Sequence, residues 1–456
     1  MAGQEQYDKC RFLYLWYYIV MYKIKRKNAL VALGGGPSPV INASLLGVVE
    51  ACMDYEDIGE VYGALHGIEG VLQEELVRLD TQDPAELAKL RYTPASGAIG
   101  TCRYKLGKDE KAQQDYARIL DVLKAHDVGY FIYIGGNDSM DTAQKVSDLA
   151  RENGEELICA GVPKTIDNDL GDEERTLIDH TPGYGSTARY WAMLMKDAEE
   201  ENRGMYVSEP VSVYQAMGRK AGFITAAARL ADPKREIPLQ MYFAETGRDI
   251  EWLYENVCKS LRERGRAIIV VSEGYNVGNI REARDGFGHI EYGASDDTAM
   301  QSVVSYLNKR GMPVRGNATG QISGVMQRNN GICRSEVDER EAYEVGRYAV
   351  KIAVEEGTGY MATILRDHSA PVYKIYYDKV PMEVIANSAR GLPAEWIAGS
   401  GTDVTDAFID YAMPLIGDAQ RPVPTVSPGG MPDFAKLDLK MTEKKCPEYL
   451  PVNFRV

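Results

Sequence analysis

The chain has 456 residues, 45% hydrophobic and 26% charged, which is long enough for two or three domains with substantial cores and excludes a predominantly disordered protein. Lysine and arginine number 52 against 67 aspartates and glutamates, and the net charge of −15 argues against a nonspecific nucleic-acid binder, which needs a basic surface. The 7 cysteines are widely spaced and form no C-x-x-C pair. This spacing indicates reduced thiols in a cytoplasmic protein rather than a disulfide framework or a zinc site. Because the net charge is negative, an anionic ligand must be held by a local group of basic residues.

An apolar, aromatic run, FLYLWYYIVMY, occupies residues 12–22 and is followed by basic residues from Lys23 to Lys27. The run is shorter than the roughly 20 apolar residues that span a bilayer, and no later segment approaches that length. In a signal peptide the positive charge chiefly precedes the apolar stretch, whereas here it follows. We therefore interpret residues 1–27 as an N-terminal extension or a packing strand, and we expect no membrane association.

From Asn28 onward, short apolar runs alternate with glycine-rich turns and helical patterns. ALVALGGG (29–36) and GYFIYIGG (129–136) each precede a helical pattern. Further apolar runs with strand character lie at 156–162, 211–217 and 267–274. Strands that alternate with helices predict a parallel sheet with helices on both faces. Because such sheets bind ligands beyond the carboxyl ends of their strands, we expect the loops after these runs to outline one site.

Two glycine turns follow the first strand-like runs. GGGPSP (34–39) offers backbone amides that suit a phosphate, although tight glycine turns after strands are equally common without a ligand. It lacks the Gly-Lys-Ser/Thr of a Walker motif and is not G-x-G-x-x-G, which disfavours ordinary nucleotide and dinucleotide sites. GGNDS (135–139) contains Asp138, which is either a helix cap or a ligand-facing group. Neither turn alone separates a structural role from a functional one.

The segment PKTIDNDL (163–170) places a lysine, a threonine and two carboxylates within six residues at the end of the next strand. An Asx-rich structural turn explains these residues equally well when the segment is taken alone. The residue types nevertheless match the needs of phosphoryl transfer. That reaction requires a base for the attacking hydroxyl, positive charge for the phosphates and a carboxylate for Mg²⁺.

The next strand ends in MGRKAG, where Gly218 allows close approach of the backbone and Arg219 is able to bind phosphate oxygens through two N–H groups. Later strand ends add Glu273, a candidate acceptor for sugar hydroxyls, and Arg328, a candidate ligand of a terminal phosphate. Arg103, in GTCRYKL, supplies another cation. Taken singly, each of these residues is more typical of a routine turn or a solvated surface.

The chain resembles the phosphofructokinase family over about residues 28–400 through segments that occur in the family's order: GGGPSPVINA, GTCRYKL, GGNDS, PKTIDNDL, TPGYGSTA, MGRKAG, SEG and QR. The resemblance implies two Rossmann-like three-layer α/β domains with the active site in the cleft between them. It also implies phosphorylation of fructose 6-phosphate at the 1-hydroxyl with Mg²⁺ in glycolysis or gluconeogenesis. Members of the family generally self-associate, so a cytoplasmic homodimer or homotetramer is expected.

The resemblance assigns roles to matching positions. Asp167 matches the catalytic base, and Arg219 and Lys164 are the further catalytic residues. The residues that match the fructose 6-phosphate site are Thr165, Asp167, Asp169, Met217, Gly218, Arg219, Glu273 and Arg328. The residues expected on the donor side are Gly35, Arg103, Asp138 and Lys164. The expected metal ligands are Asp138 and Asn137.

Two positions bear on the phosphoryl donor. Members that use ATP have Gly-Gly-Asp-Gly-Ser and Pro-Gly-Thr-Ile-Asp-Asn-Asp, whereas here Asp138 and Lys164 replace a glycine in each motif. A side chain at 138 would place bulk and negative charge near the α-phosphate of a nucleotide, and Lys164 would reach the phosphates of a smaller donor. This pair resembles the pyrophosphate-dependent branch, so we predict inorganic pyrophosphate and a readily reversible reaction. The alternatives are an ATP-dependent 6-phosphofructokinase and a non-catalytic sugar-phosphate-binding subunit.

Three positions depart from the family pattern. Asn137 stands where a metal-binding aspartate is usual, so Mg²⁺ would depend on Asp138, Asp167 and the pyrophosphate oxygens. Val325 replaces the His or Tyr of many members, and Pro210 falls where an arginine from the neighbouring subunit is expected. The candidates to replace that arginine are Arg203 and Arg315.

The resemblance also implies a division of the chain. Residues 28–182, with a return segment near 329–356, would form the donor domain, and residues 183–328 would form the fructose 6-phosphate domain. Residues 357–456 would pack across both. Within this last segment, the Pro- and Gly-rich stretch from Arg421 indicates an irregular tail on the surface.

Overall fold

The computed structural model describes residues 26–107, 112–278, 297–386, 388–417 and 431–455. The aromatic run at 12–22 and most of the Pro- and Gly-rich stretch after Arg421 lie outside these ranges. Within them the chain forms two sheets flanked by helices. The predicted α/β class is confirmed.

The described ranges contain these strands: β1 (Lys27–Leu33), β2 (Ile58–Ala64), β3 (Leu76–Arg78), β4 (Val128–Gly135), β5 (Ile158–Pro163), β6 (Val211–Ala216), β7 (Leu239–Tyr242), β8 (Ala267–Ser272), β9 (Ala318–Ile322), β10 (Tyr360–Arg366) and β11 (Ile375–Pro381). The α-helices in the same ranges are α1 (Ile41–Asp54), α2 (Ile68–Gln73), α3 (Pro84–Lys89), α4 (Ala112–Ala125), α5 (Asn137–Glu152), α6 (Tyr184–Met205), α7 (Phe223–Ala227), α8 (Ile250–Arg264), α9 (Ala299–Arg310), α10 (Glu336–Glu355), α11 (Met382–Ala386) and α12 (Asp406–Ala412). Short 3₁₀ helices lie at Ala228–Ala231, Ala244–Thr246, Gly324–Arg328, Ala394–Trp396, Met413–Ile416 and Val452–Phe454.

The larger sheet has the strand order β11-β10-β5-β4-β1-β2-β3. Its inner pairs are parallel, and β3 and β11 add an antiparallel strand at each edge. Side chains of β1 alternate between the two faces, since Leu30 and Ala32 pack with α2, α4 and α5 while Val31 and Leu33 pack with α1 and α10. Both faces are therefore covered, which explains why the run at 29–33 is apolar throughout.

The smaller sheet has the order β7-β8-β6-β9, and all its pairs are parallel. Along β6, Val211 and Val213 pack with α8 and α9, whereas Tyr214 and Ala216 pack with α6 and α7. The sheet is thus also a three-layer unit, as the resemblance implied. The apolar runs predicted as strands at 211–217 and 267–274 correspond to β6 and β8.

The chain returns to the larger sheet after the smaller one. Helix α10 packs against α1 at two glycines, and a Cβ atom at Gly47 or Gly346 would collide with the backbone of the facing helix. Strands β10 and β11 then extend the larger sheet beyond β5. Farther along, Trp396 and Phe408 pack into the core on the α6 face of the smaller sheet. Among the described residues, no helix has the length and apolar character needed to cross a bilayer.

Candidate active site

Loops at the carboxyl ends of strands from both sheets surround one cavity of about 410 Å³. Of the residues predicted to form the site, those that line this cavity are Gly35, Arg103, Asn137, Asp138, Lys164, Thr165, Asp167, Asp169, Met217, Arg219, Glu273 and Arg328. The remaining one, Gly218, lies directly behind it and donates its backbone N–H to Glu273. The structure therefore brings the predicted residues together between the two sheets, while their catalytic and binding roles stay predictions.

Three basic side chains approach the backbone of the first glycine turn. Gly35 has a φ of +73°, in the left-handed region that favours glycine. Lys164 Nζ donates a hydrogen bond of 2.6 Å to the carbonyl of Gly36. A Cβ atom on Gly36 would lie 2.8 Å from Nη1 of Arg328 and 3.8 Å from Nη2 of Arg103. The glycines of this turn thus let three basic groups come close to its backbone.

Lys164 is buried, with 4% of its surface exposed. Burial lowers the pKa of its ammonium group to about 7, although Asp167 opposes the shift. The neighbouring charges of Arg328, Arg103 and Arg219 lower the same pKa further. Because an anion in the cavity would offset this repulsion, binding of a phosphate compound favours the charged form of Lys164.

Asp167 belongs to the turn that follows β5, and its side chain is 14% exposed. Burial raises the pKa of its carboxyl to about 6, and the charge of Asp169 adds to the increase, while Arg219 and Lys164 act in the opposite direction. The Nε atom of Arg219 lies 4.0 Å from Asp167 Oδ2. A carboxylate with a pKa near 6 accepts protons more readily than a solvent-exposed aspartate, which suits a general base.

The second glycine turn begins α5. Gly136 occupies the N-cap position, so Asp138 is not the capping residue that its sequence position also permitted. Asn137 Oδ1 accepts a hydrogen bond of 2.9 Å from the backbone N–H of Asp138, and Lys105 Nζ lies 3.4 Å from Asp138 Oδ1. Asp138 thus keeps its carboxylate at the cavity wall beside a cation.

The oxygen donors in the cavity fit a magnesium ion that is bound mainly by the phosphate oxygens of a substrate. Across the residues that the structure describes, no group of three or more His, Cys, Asp or Glu side chains has an arrangement suited to a metal. Asp138 and Asp167 both line the cavity. Mg²⁺ is usually held by one or two carboxylates together with phosphate oxygens, and this donor set meets that requirement.

The opposite wall of the cavity is formed by loops of the smaller sheet. There the side chain of Glu273 holds the Met-Gly-Arg turn by hydrogen bonds to the backbone of the turn. Its Oε1 accepts hydrogen bonds from the N–H groups of Gly218 (3.1 Å) and Arg219 (2.8 Å). These two residues have φ values of +120° and +53°. Burial raises the pKa of Glu273 to about 7; the two N–H groups oppose the increase, and Asp167 adds to it. A residue predicted to bind sugar therefore also fixes a strained turn.

Sequence reasoning assigned no role to Gln327, which is buried and lines the cavity. Its Oε1 accepts hydrogen bonds from Trp191 Nε1 (3.0 Å) and from the backbone N–H of Met217 (3.1 Å). Its Nε2 donates to the carbonyl of Gly324 at 2.9 Å. Gln327 thus joins the Met-Gly-Arg turn to the 3₁₀ helix that carries Arg328. Gln327 is the first residue of the QR pair that resembles the family. It was given no role because, unlike Arg328, it carries no charge that suggests a phosphate ligand.

Two of the departures from the family pattern differ in burial. Val325 lines the cavity and is exposed. Pro210 is buried at the start of β6, where its carbonyl accepts a hydrogen bond from Ala267. Neither Arg203 nor Arg315 lines the cavity, and both are exposed. The arginine of the family pattern comes from a neighbouring subunit, so Arg203 and Arg315 stay predictions for that role.

Comparison with known proteins agrees with the geometry. Residues 28–353 match the family described as Phosphofructokinase. The chain is 36% identical over 419 residues to the pyrophosphate–fructose 6-phosphate 1-phosphotransferase of Methylococcus capsulatus, covering 90% of this chain and 96% of that protein. It is 35% identical over 430 residues to the protein of the same name from Halomonas elongata, covering 92% and 99%. Its structure is similar to that of a pyrophosphate-dependent phosphofructokinase from Nitrosospira multiformis, with a TM-score of 0.81, 33% identity and coverage of 93% and 100%. The chain therefore belongs to the phosphofructokinase family.

Proposed function

We propose that this protein transfers a phosphoryl group from inorganic pyrophosphate to the 1-hydroxyl of fructose 6-phosphate, reversibly, to give fructose 1,6-bisphosphate and phosphate. The observation that carries the proposal is the buried Lys164, which binds the Gly36 carbonyl inside a cavity whose wall also carries the Asp138 carboxylate. These groups suit a small, highly charged donor and oppose a nucleotide. The names of the two sequence relatives support the same reaction.

The donor is held by positive charge at the first glycine turn. Arg103, Lys164 and Arg328 approach Gly35 or Gly36, so the pyrophosphate oxygens meet cations from three separate loops. Arg328 retains its proposed role at the 6-phosphate of the sugar, and its position beside Gly36 also brings it near the donor. Because these cations are fixed before the reaction, they stabilise developing phosphate charge without reorganisation.

Asp167 acts as the general base. Its carboxylate accepts the proton of the sugar hydroxyl as that oxygen forms a bond to the nearer phosphorus, and the bond from this phosphorus to the leaving phosphate breaks. Arg219, 4.0 Å from Asp167, offsets charge on the transferring group. Thr165 and Asp169, beside Asp167, and Glu273, on the opposite wall of the cavity, bind the sugar phosphate.

We propose Mg²⁺ as the cofactor. The side chains that would hold it are Asp138, with Asn137 beside it, and Asp167, together with pyrophosphate oxygens. When bound, the ion neutralises phosphate charge and makes the phosphorus easier to attack. No metal-binding cluster independent of substrate is required for this arrangement.

The assembly and location of the enzyme follow from the same family. We propose a cytoplasmic homodimer or homotetramer, with a donor domain (28–182 and 329–356), a sugar domain (183–328) and a shared C-terminal segment (357–456). Light scattering of the purified protein measures the oligomeric state directly.

One experiment tests the proposed reaction. Purified protein is incubated with fructose 6-phosphate and Mg²⁺ in the presence of pyrophosphate, of ATP or of neither, and fructose 1,6-bisphosphate is measured. Product should form with pyrophosphate alone. Formation with ATP alone would overturn the donor assignment, and binding of fructose 6-phosphate without product from either donor would favour a non-catalytic subunit.

A further inference from the structure

A short segment after α11, residues 388–392, lies between the two catalytic turns. We call it the bridging segment. At one end, the backbone N–H of Gly171, just beyond the turn that carries Asp167, donates a hydrogen bond of 3.0 Å to Ser388 Oγ. At the other end, the backbone N–H of Leu392 donates to Glu245 Oε1 at 2.9 Å. The segment thus contacts structure belonging to both walls of the cavity.

Arg390, in the middle of the bridging segment, is 3% exposed and donates to oxygens around the Asp167 turn. Its Nε and Nη2 bind the carbonyl (2.8 Å) and the side-chain oxygen (2.9 Å) of Asn168. Nη1 and Nη2 bind the carbonyls of Ile178 (2.7 Å) and Asp179 (2.9 Å). The backbone N–H of Arg390 also donates to the carbonyl of Asp169 at 2.9 Å. Arg390 therefore holds the backbone of the turn between the two carboxylates, Asp167 and Asp169.

The turn needs such support because of its backbone conformation. Asn168 has a φ of +58°, in the left-handed region, and stands directly between Asp167 and Asp169. Asparagine adopts this conformation more readily than most non-glycine residues, and its contacts here hold it there. The side-chain N–H of Asn168 donates a hydrogen bond of 2.8 Å to the hydroxyl of Tyr411. The Arg390 guanidinium and the Tyr411 hydroxyl together hold the conformation of the turn.

The bridging segment also contacts the Met-Gly-Arg side. Glu245 Oε1, which accepts from Leu392, accepts a second hydrogen bond of 2.6 Å from the backbone N–H of Gly222, the last residue of MGRKAG. The guanidinium carbon of Arg390 lies 5.6 Å from the ring centre of Phe223, the first residue of α7. Movement of either turn would therefore disturb contacts of the same five residues.

We propose that Arg390 is a positioning residue for phosphoryl transfer, which fixes the Asp167 turn relative to the Met-Gly-Arg turn without touching the substrate. The inference rests on the proposed phosphotransferase activity. Arg390 is not among the residues that line the cavity, so it acts through Asn168 and Asp169. The five donors of a guanidinium match several carbonyl oxygens at once, which a lysine ammonium or an apolar side chain does not.

The test compares Arg390→Met with Arg390→Lys. The methionine variant should lower kcat at least about tenfold, because small displacements of a catalytic group are costly. Its KM for pyrophosphate should change less than about threefold, since the cations at the first glycine turn keep their places. The lysine variant should recover part of the lost kcat because it restores some of the hydrogen bonds.

Arg229→Met is the matched control. Arg229 is 1% exposed and binds Asp403 (2.8 Å), Asp232 (3.1 Å) and the carbonyl of Leu239 (3.3 Å) without contacting either turn. It should lose thermal stability without more than about a twofold change in kcat of the folded protein. Equal losses of kcat in the two methionine variants, at equal folded fraction, would show that Arg390 only stabilises the fold and would overturn the proposal.

Three further outcomes are decisive. If Arg390→Met does not fold, Arg390→Lys carries the test, and an unchanged kcat in this variant would overturn the proposal. An active wild-type protein with an unaffected Arg390→Met variant would reject the positioning role and leave the proposed function intact. A wild-type protein inactive with both pyrophosphate and ATP would instead overturn the proposed function, and the positioning role with it.

Discussion

On the proposed donor side of the cavity, Arg103, Lys164 and Arg328 approach the first glycine turn, and Lys164 is almost entirely buried. On the sugar side, the side chain of Arg219 is 42% exposed, and the ordered element is the backbone of its turn, which Glu273 holds by two N–H groups. Lys164 and Asp138 thus present charge to the cavity, whereas the carboxylate of Glu273 is directed to the backbone of the Met-Gly-Arg turn. Substitutions that change charge should affect the donor wall more than the sugar wall.

Replacement of Asp167 tests the group that lies between the two walls. Asp167→Asn keeps the size of the side chain and removes the proton acceptor, so kcat should fall at least about 10²-fold. The KM for fructose 6-phosphate should change little, because the neighbouring binding groups remain. Steady-state kinetics with both substrates measures the effect, and turnover near the wild-type value would contradict the assignment of the base.

The pH dependence of kcat/KM for pyrophosphate tests the buried charges of the donor wall. The raised pKa of Asp167, about 6, means that the base is lost as pH falls through that value. The lowered pKa of Lys164, about 7, means that the cation is lost as pH rises through it. The profile should therefore be bell-shaped, with an acid limb and an alkaline limb along each of which kcat/KM decreases about tenfold per pH unit. The two apparent pKa values belong to the set of interacting groups rather than to single residues.

Lys164→Arg separates the two limbs. A guanidinium stays protonated, so the alkaline limb should disappear while the acid limb remains. Glu273→Gln removes the other buried group whose pKa is about 7, and the alkaline limb should persist in this variant if Lys164 controls it. An alkaline limb that persists in Lys164→Arg would show that another group controls it.

A smaller effect is expected at Asp138. Asp138→Gly removes the carboxylate that lies 3.4 Å from Lys105 and opens space in the second glycine turn. The kcat/KM for pyrophosphate should fall about tenfold, the value of one charge-assisted contact, and ATP binding should become measurable by calorimetry. A variant that keeps full pyrophosphate activity and still excludes ATP would refute the steric and electrostatic explanation of donor choice.

The smallest effect is expected on the sugar wall. Glu273→Gln retains a carbonyl oxygen for the N–H groups of Gly218 and Arg219, so the turn should keep its conformation. Exchange of a charged for a neutral acceptor should raise the KM for fructose 6-phosphate about fivefold with little change in kcat. A loss of kcat as large as that of Asp167→Asn would mean that charge, rather than backbone geometry, governs this wall too.

The sequence predicts the parts of the fold that have strong local signals. The apolar runs ending in glycine or charged turns correspond to β1, β4, β5, β6 and β8, whose ends form the site. Strand β9 (ATGQI) has little apolar character, and β11 (IYYDKVP) joins the larger sheet only through pairing with β10. Pairing between segments that are far apart in the chain leaves no local pattern, so these strands were not predicted.

The same distinction applies to the site. Asp167, Lys164 and Arg219 lie in recognisable motifs and line the cavity as expected. Gln327 and Arg390 act through contacts with distant segments, and Arg390 is 222 residues from its partner Asn168. No spacing rule indicates such a pair, because the partners meet only after both sheets have formed.

The return of the chain to the larger sheet also sets an order of events during synthesis. The strands of the smaller sheet are all present once Ile322 has left the ribosome, whereas the larger sheet waits for β10 and β11, which end at Pro381. Until then the outer edge of β5 is unpaired, and exposed strand edges attract other chains. The strand before the Asp167 turn is thus among the last described strands to gain both neighbours, and the proposed base receives its full support only after β10 and Arg390 have been synthesised.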